Sequence, residues 1–288
     1  MDDNSLHPGV LYVVATPIGN LDDMTFRAIA TLKQASLIAA EDTRHTAKLL
    51  NHFEISTPQI SYHDHNRLSR IPDLIHRLSQ GQTIALVSDA GMPGVSDPGY
   101  ELVKACIEAE IAVIPIPGAT AAITALSVSG LPTAQFVFEG FLPTKGKERR
   151  DRLELLKAEM RTLIFYEAPH RLVQTLNDFA AVFGGDRLIV LGRELTKRYE
   201  EVWRGTVEGA IAHYDTQNPM GEYTLVLAGA SPQTLELTDD ALRDELTYLL
   251  SQGLSRSRAS RELSQQTALP RRRIYQLALT ISDEEISP

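Results

Sequence analysis

The sequence predicts an α/β protein in two lobes, followed by a small helical unit at the C-terminal end. Three observations carry this expectation. Short β-branched apolar runs recur through the first 230 residues without alternating with polar ones. Each run ends in a Gly/Pro/Ser/Asp loop, and a helical pattern often follows. Beyond about residue 230 the texture changes to short amphipathic segments crowded with arginine. A chain of 288 residues has room for one large domain or two to three smaller ones.

The elements follow in chain order. Leu11–Ala15 reads as a strand leading into Thr16-Pro17-Ile18-Gly19-Asn20. Leu37–Ala40 leads into Glu41-Asp42-Thr43-Arg44-His45, and Thr83–Val87 into the long loop Ser88–Gly99. Ile111–Ile116 leads into Pro117-Gly118-Ala119-Thr120-Ala121. Phe136–Phe141 is strand-like and is broken by Leu142-Pro143-Thr144. Leu163–Tyr166, Leu188–Leu191 and Tyr223–Leu227 complete the series. Continuous apolar strands suit a sheet covered on both faces. Strands alternating with helices predict βαβ units and a mostly parallel sheet, with ligands beyond the carboxyl ends of the strands. The stretch 131–152 reads as a boundary region, and the lobes are placed at about 1–120 and 121–230.

Residues 231–288 form the third part. Ala230-Ser231-Pro232 reads as a linker and Thr238 as the cap of a helix over Asp239–Ser251, with Gly253 after its end. Ser257–Gln265 predicts a second helix and Arg271–Leu279 a third, with Pro270 at its start. Three short helices with a tight final turn resemble a helix-turn-helix unit. Between Leu254 and Tyr275 stand six arginines and one acid, a local net charge of +5 in a chain whose overall charge is −9. The overall charge argues against a protein that coats nucleic acid broadly, while the tail supplies a local basic patch.

Other classes are set aside. The single cysteine, Cys106, allows no intrachain disulfide and no cysteine-cluster metal site, and reads as a small buried apolar residue. The acidic N-terminus lacks an apolar core for a signal peptide, and no apolar run is long enough to span a bilayer. A cytoplasmic location without membrane association is expected. No G-x-G-x-x-G follows the first strand and no G-x-x-x-x-G-K-[ST] occurs, so a conventional dinucleotide enzyme or P-loop ATPase is not expected. In their place stands Ser88–Gly99, with three glycines and two prolines in twelve residues. Glycine permits close backbone approach to a ligand, and proline stiffens the loop.

Seven segments in order carry a resemblance. They are Ala15-Thr16-Pro17-Ile18-Gly19-Asn20-Leu21, Glu41-Asp42-Thr43-Arg44, Ser88-Asp89-Ala90-Gly91-Met92-Pro93, Pro117-Gly118-Ala119-Thr120-Ala121, Tyr166-Glu167-Ala168-Pro169-His170-Arg171, Gly192-Arg193-Glu194-Leu195-Thr196-Lys197 and Gly221-Glu222-Tyr223. Over about residues 10–230 the chain resembles the tetrapyrrole-methylase superfamily of S-adenosylmethionine-dependent methyltransferases, the class III fold. Within it, the chain is similar to the branch that methylates the ribose 2′-hydroxyl of a decoding-region cytidine in 16S rRNA, including a basic helical tail. The resemblance implies a homodimer with the cofactor between the lobes and 16S rRNA as substrate, either as naked RNA or within a 30S particle. It implies cofactor contacts from Pro17, Ser88, Asp89, Ala90, Val95 and Ser96, and from Thr120 and Ala121. Tyr166, Ala168 and Leu195 would add to them, with Gly221, Glu222, Tyr223 and Thr224 at the adenine end. No metal is implied.

The charged residues beside these loops admit more than one reading. A ribose hydroxyl is a weak nucleophile, so a general base or a charge favouring the alkoxide is expected. Asp42, Arg44, Glu167 and Lys197 are the catalytic candidates: the segment Glu41-Asp42-Thr43-Arg44-His45 offers a base from its two acids and a phosphate anchor, Glu167 could orient the ribose or accept the proton, and Lys197 could contact substrate or phosphate. Against this, Asp42 suits a helix N-cap, Glu167 a salt bridge within its loop, and Arg193, Glu194 and Lys197 an ion-pair network. His63 and His65, at i and i+2, would share a face of a strand but lack an evident third metal ligand. They read as polar loop, facing RNA or solvent. Lys145–Arg152 reads as a solvated helix start or an RNA contact, and Trp203 as a packing residue or a stacking platform. Arg256, Arg258, Arg261, Arg271, Arg272 and Arg273 are the candidates for phosphate contact, or else a solvated helix face. Two rivals stay open: a tetrapyrrole methyltransferase of the same fold, and a ligand-sensing regulator whose tail reads DNA.

Overall fold

The computed structural model describes residues 6–231, 239–267 and 269–282. The predicted linker residue Pro232 and cap Thr238 lie outside the described residues. The chain divides into two compact units, one of residues up to Leu156 with Thr162–Ala228, the other of Lys157–Arg161 with the chain from Gly229 onward. Among the described residues no helix is long and apolar enough to cross a membrane.

The larger unit holds two five-stranded sheets. The first contains β1 (Leu11–Val14), β2 (Leu37–Ala40), β3 (Gln59–Ser61), β4 (Ile84–Val87) and β5 (Val113–Ile116). Their order is β3-β2-β4-β1-β5, and every pairing is parallel. Strands β1, β2 and β4 are buried at every residue. The absence of alternation has a direct cause. Tyr12, Val14, Ile38, Ala40, Ala85 and Val87 belong to one core, and their neighbours Leu11, Val13, Leu37, Ala39, Ile84 and Leu86 to another on the opposite face. The faces are covered by α1 (Phe26–Gln34), α2 (Thr43–His52), α3 (Arg67–Ser79) and α4 (Tyr100–Glu108). Helix α1 starts where the Thr25 side chain accepts from the Ala28 amide, and α2 where Asp42 accepts from the Arg44 amide.

The second sheet corrects the expectation of a mostly parallel arrangement. It contains β6 (Phe136–Phe141), β7 (Thr162–Glu167), β8 (Leu188–Arg193), β9 (Glu201–Thr206) and β10 (Tyr223–Leu227), in the order β6-β7-β10-β8-β9. Only the pairing of β6 with β7 is parallel. The cause is β9, which returns antiparallel along β8, so that β10 enters between β7 and β8 in the opposite sense. One face packs Leu163, Phe165, Leu191 and Leu225 against Phe179 of α7 (Pro169–Phe183), with α6 (Gly146–Leu156) and α8 (Val207–Tyr214). The other packs Ile164, Val190 and Val226 against Ala122, Ala125 and Leu126 of α5 (Ala121–Ser129). Ile18, from the loop after β1, and Leu195 join this second face, so the two lobes share a core there.

The smaller unit has its own core. Helices α9 (Asp239–Ser251), α10 (Arg256–Thr267) and α11 (Arg271–Leu279) bury Leu242, Leu246, Leu250, Ala259, Leu263, Ile274 and Ala278 together. Gly253, at φ +83°, ends α9 in the left-handed region.

Gly99 sets the end of the loop after β4. Its φ is +155°, and a Cβ there would sit 2.8 Å from the Gly94 nitrogen. Gly99→Ala is expected to destabilise the protein by roughly 1–3 kcal/mol, read as a lower urea midpoint at unchanged slope. An unchanged midpoint would mean that the loop tolerates another path.

Candidate functional site

The carboxyl ends of the first sheet are tied together before any ligand is considered. The Thr16 amide donates to the Gly91 carbonyl at 2.9 Å, and the Gly91 amide to the Thr16 carbonyl at 3.1 Å. The Thr16 hydroxyl donates to the Ser88 carbonyl at 3.1 Å. Between the loops after β2 and β4 the ties are reciprocal: the Asp42 amide donates to the Asp89 carboxylate and the Asp89 amide to the Glu41 carboxylate, both at 3.1 Å. From the second sheet, the Tyr166 hydroxyl accepts from the Ala122 amide at 3.3 Å, holding the start of α5 against β7. A bulge between Phe138 and Gly140 bends β6, and Gly140, at φ +61°, lies against the Ser96 hydroxyl. The bend brings Phe141 to the same place.

These loops enclose a cavity of about 340 Å³ within the larger unit. Of the residues expected in the site, it is lined by Asp89, Ala90, Val95, Ser96, Thr120 and Ala121 from the first lobe side. Tyr166, Ala168, Leu195, Glu222, Tyr223 and Thr224 line it from the second, as do Glu167 and Lys197. Pro17, Ser88 and Gly221 are not in the lining. Pro17 and Ser88 are buried, and Ser88 accepts from Thr16 behind the loop. Gly221, at φ +83°, gives way to the Glu194 side chain.

The candidate bases fare differently from their expectation. Asp42 is outside the lining and is the α2 N-cap; its carboxylate accepts from Arg44 Nε at 3.1 Å and Nη2 at 2.8 Å. The Arg44 guanidinium, then the Arg44 amide, holds it far below the usual carboxylate range. A carboxylate so stabilised is a poor proton acceptor, and these contacts favour the N-cap reading of Asp42 over that of a base. Arg44 itself has 89% of its side chain exposed. Glu167 is buried, with its carboxylate engaged by the Thr175 hydroxyl at 2.5 Å, the Ala168 amide at 2.8 Å and Arg171 at 3.3 Å. The salt-bridge reading holds for Glu167, and a free base there does not. Lys197 bridges Glu222 at 2.8 Å and Glu194 at 3.0 Å. Burial opposes its charge, but these contacts outweigh it and keep the ammonium protonated.

Two carboxylates in the lining were not singled out from the sequence as site residues. Burial, with the neighbouring charge of Glu41, pushes Asp97 up to about 7. Glu41 is likewise raised by burial, against the pull of the Asp89 amide, with repulsion from Asp89, Asp64 and Asp42. Asp97 lies inside the long loop that the sequence marks, yet nothing in Val95-Ser96-Asp97-Pro98 reveals that the side chain is desolvated. The lining therefore holds Glu41, Asp89, Asp97, Glu167 and Glu222 against one basic residue, Lys197, amid Ile18, Met92, Val95, Phe141, Tyr166 and Leu195. Such a site favours a cationic ligand with a flat apolar part and repels polyphosphate.

The remaining candidates sort by their contacts. The His63 and His65 rings lie 6.0 Å apart, and among the described residues no group of three or more His, Cys, Asp or Glu is placed to hold a metal. Trp203 packs on the second-sheet core with its ring 5.6 Å from that of His213. In α6, Arg149 is buried against Asp178 at 2.7 Å, and Arg152 pairs with the buried Glu139. Those two belong to the fold and not to a free basic patch. Cys106 is buried, and burial pushes its thiol up to about 11. In the tail unit, Arg256 donates to the Ala278 carbonyl at 3.1 Å and the Ile281 carbonyl at 3.0 Å, and Arg273 pairs with Asp239 at 2.8 Å. The first of these arginines closes the end of α11 and the second ties α11 to α9 by an exposed ion pair, so each guanidinium has a partner within the unit.

Residues 10–211 match the family described as Tetrapyrrole (Corrin/Porphyrin) Methylases. Ribosomal RNA small subunit methyltransferase I of Synechocystis sp. is 59% identical over 274 residues, covering 95% of this chain and 98% of its own. The protein of that name from Halalkalibacterium halodurans is 50% identical over 273 residues, covering 93% and 94%. Among solved structures, uroporphyrin-III C-methyl transferase from Thermus thermophilus, complexed with S-adenyl homocysteine, matches at a TM-score of 0.54 over 75% of this chain and 96% of its own. At 16% identity that likeness is one of fold.

The raised Asp97 makes a pH-dependent prediction. From 3.8 to about 7 the folded state holds a proton that the unfolded chain releases. Stability from this group is thus present at the low end of that window and is lost as pH rises through about 7. Asp97→Asn is expected to raise the melting temperature at pH 8, by a gain on the order of 1 kcal/mol, and the gain should vanish toward pH 4. A gain independent of pH would place Asp97 in contact with solvent.

Proposed function

The chain belongs to the tetrapyrrole methylase family, and we propose that it methylates small-subunit ribosomal RNA with S-adenosylmethionine as donor, at the ribose 2′-hydroxyl of a decoding-region cytidine. The carrying observation is the cavity at the strand ends, whose lining joins carboxylates from both lobes with apolar and aromatic side chains. The donor is a cation with a flat base, and it supplies an electrophilic methyl group when bound. Polyphosphate cofactors would meet five carboxylates there. The division into lobes at 1–120 and 121–230, with a tail at 231–288, is part of the same proposal.

Asp89, Asp97 and Glu41 would face the cationic part, and Ser96, Thr120 and Ala121 would contribute hydroxyl and backbone partners. Tyr166, Ala168, Leu195, Tyr223 and Thr224 would take the apolar part, while Pro17, Ser88 and Gly221 shape the loops from behind. Lys197, the one basic residue in the lining, would favour the developing alkoxide. In-line placement of acceptor and donor by two lobes that share a core supplies the rest. Arg44 and the tail arginines that pair with no carboxylate among the described residues would hold RNA phosphates. A homodimer is included, since it would cover Phe26, which is 95% exposed at the start of α1. A cytoplasmic site of action and an assembled 30S substrate complete the reading.

Labelled-methyl transfer to naked 16S rRNA, to 30S particles and to duplex DNA tests it. Label on a cytidine ribose of small-subunit rRNA is the expected result; no transfer, with sequence-specific DNA binding, would replace the reading with that of a regulator. In calorimetry, wild type is expected to lose donor affinity as pH falls below about 7, and Asp97→Asn to weaken binding at pH 8 about tenfold, or 1.4 kcal/mol, and to abolish that pH dependence. Equal affinity in both proteins would take Asp97 out of the site.

A further inference from the structure

The six tail arginines are not equivalent. Arg256 and Arg273 already have internal partners, carbonyl oxygens at the end of α11 and the Asp239 carboxylate. Arg271 donates to the Ser257 hydroxyl at 3.0 Å, across from α11 to α10. Among the described residues no carboxylate pairs with Arg271 or Arg272. These two side chains, with Ser257 and Tyr275, line an open concavity of about 310 Å³. Its lining holds no acid, in a unit where Arg273 has found one.

The chemistry of the concavity is that of one nucleotide unit. Two guanidiniums offer forked donors of the kind that match phosphate oxygens, and the Ser257 hydroxyl on α10 adds one more polar group. Arg271 keeps most of its five donors after its bond to Ser257. Tyr275 lies one turn beyond Arg271 on α11, so the two share a face, and the residue is 40% exposed. An exposed aromatic ring beside a phosphate site suits a base lifted out of its stack. The first turn of α11 adds to this, because Pro270 caps it without a side-chain bond and leaves a positive helix end beside the arginines.

We propose that this concavity is a nucleotide clamp for single-stranded RNA, with one phosphodiester on Arg271, Arg272 and Ser257 and its base against Tyr275. The proposal deepens the reading of the protein as an RNA methyltransferase and rests on it for the choice of RNA. Arg256 and Arg273 build the clamp without touching RNA, and Arg258 and Arg261, exposed on α10, extend the cationic track beyond it.

The test is binding of a 12-nucleotide single-stranded RNA, and of a DNA duplex of equal length, to the full chain by fluorescence anisotropy across a salt series. Arg271→Gln/Arg272→Gln should weaken RNA binding about tenfold and lower the slope of log K against log salt by roughly 0.7, the share of one phosphate on a single strand. Tyr275→Leu should weaken binding about tenfold at every salt concentration with the slope unchanged, and Tyr275→Phe should bind as wild type. Arg256→Ala should lower the melting temperature and leave the slope alone. Wild-type affinity and slope in Arg271→Gln/Arg272→Gln would overturn the proposal, as would equal losses in Tyr275→Phe and Tyr275→Leu. Tighter binding of the duplex than of the single strand, lost with the same arginines, would make the site a DNA contact and overturn it too. Methyl transfer is not needed for this readout. A chain that transfers no methyl group yet shows this pattern loses the proposed activity and keeps the clamp; an active chain without the pattern keeps the activity and loses the clamp.

Discussion

The reciprocal bonds between the Asp42 amide and Asp89, and between the Asp89 amide and Glu41, hold the site on its sheet. They join the loops after two neighbouring strands, β2 and β4, at the edge where both leave the core. With the Thr16–Gly91 pair they make three strand ends into one rim. Burial at this rim, with repulsion among its carboxylates, raises Glu41 and Asp97 in their affinity for protons, while the Asp89 amide pulls Glu41 the other way. One arrangement therefore sets both the shape of the cavity and its charge. The cost is electrostatic repulsion that a cationic ligand would relieve.

The second lobe meets this rim by a different route. Its sheet is mixed, and its contribution comes from strand ends and from the connection between β8 and β9, which carries Leu195 and Lys197. Leu195 and Ile18 share one core, so hydrophobic contact across the lobes fixes where that connection lies. Lys197 then sits between Glu194 and Glu222 in a network internal to the second lobe.

Much of the fold was legible because burial on both faces leaves a simple trace in a strand. Leu37–Ala40, Phe136–Phe141 and Tyr223–Leu227 have the bounds read from the sequence. Gln59–Ser61 was not legible, since three half-buried residues at a sheet edge carry no pattern. Glu201–Thr206 was missed because charged residues interrupt it, and with it the reversal of β10. In the site, the loops were legible from their glycines and prolines, but the state of each acid was not. Asp42 and Asp97 are the same residue type beside the same cavity. One sits against a guanidinium and the other in a desolvated loop, a difference made by tertiary neighbours and absent from local sequence. The tail arginines teach the same lesson, for Arg256 and Arg272 differ only in what the fold brings to them.

Cys106 has a practical consequence. It is the sole thiol of the chain, it is fully buried on the first sheet's core, and it holds its proton to about pH 11. Thiolate is the reactive form, so maleimide or iodoacetamide chemistry near neutral pH should pass it by. The natural protein is thus already a silent background for probe attachment. A cysteine introduced at an exposed position of either unit would carry a dye or spin label at a defined place, without first removing a residue that the core has packed around.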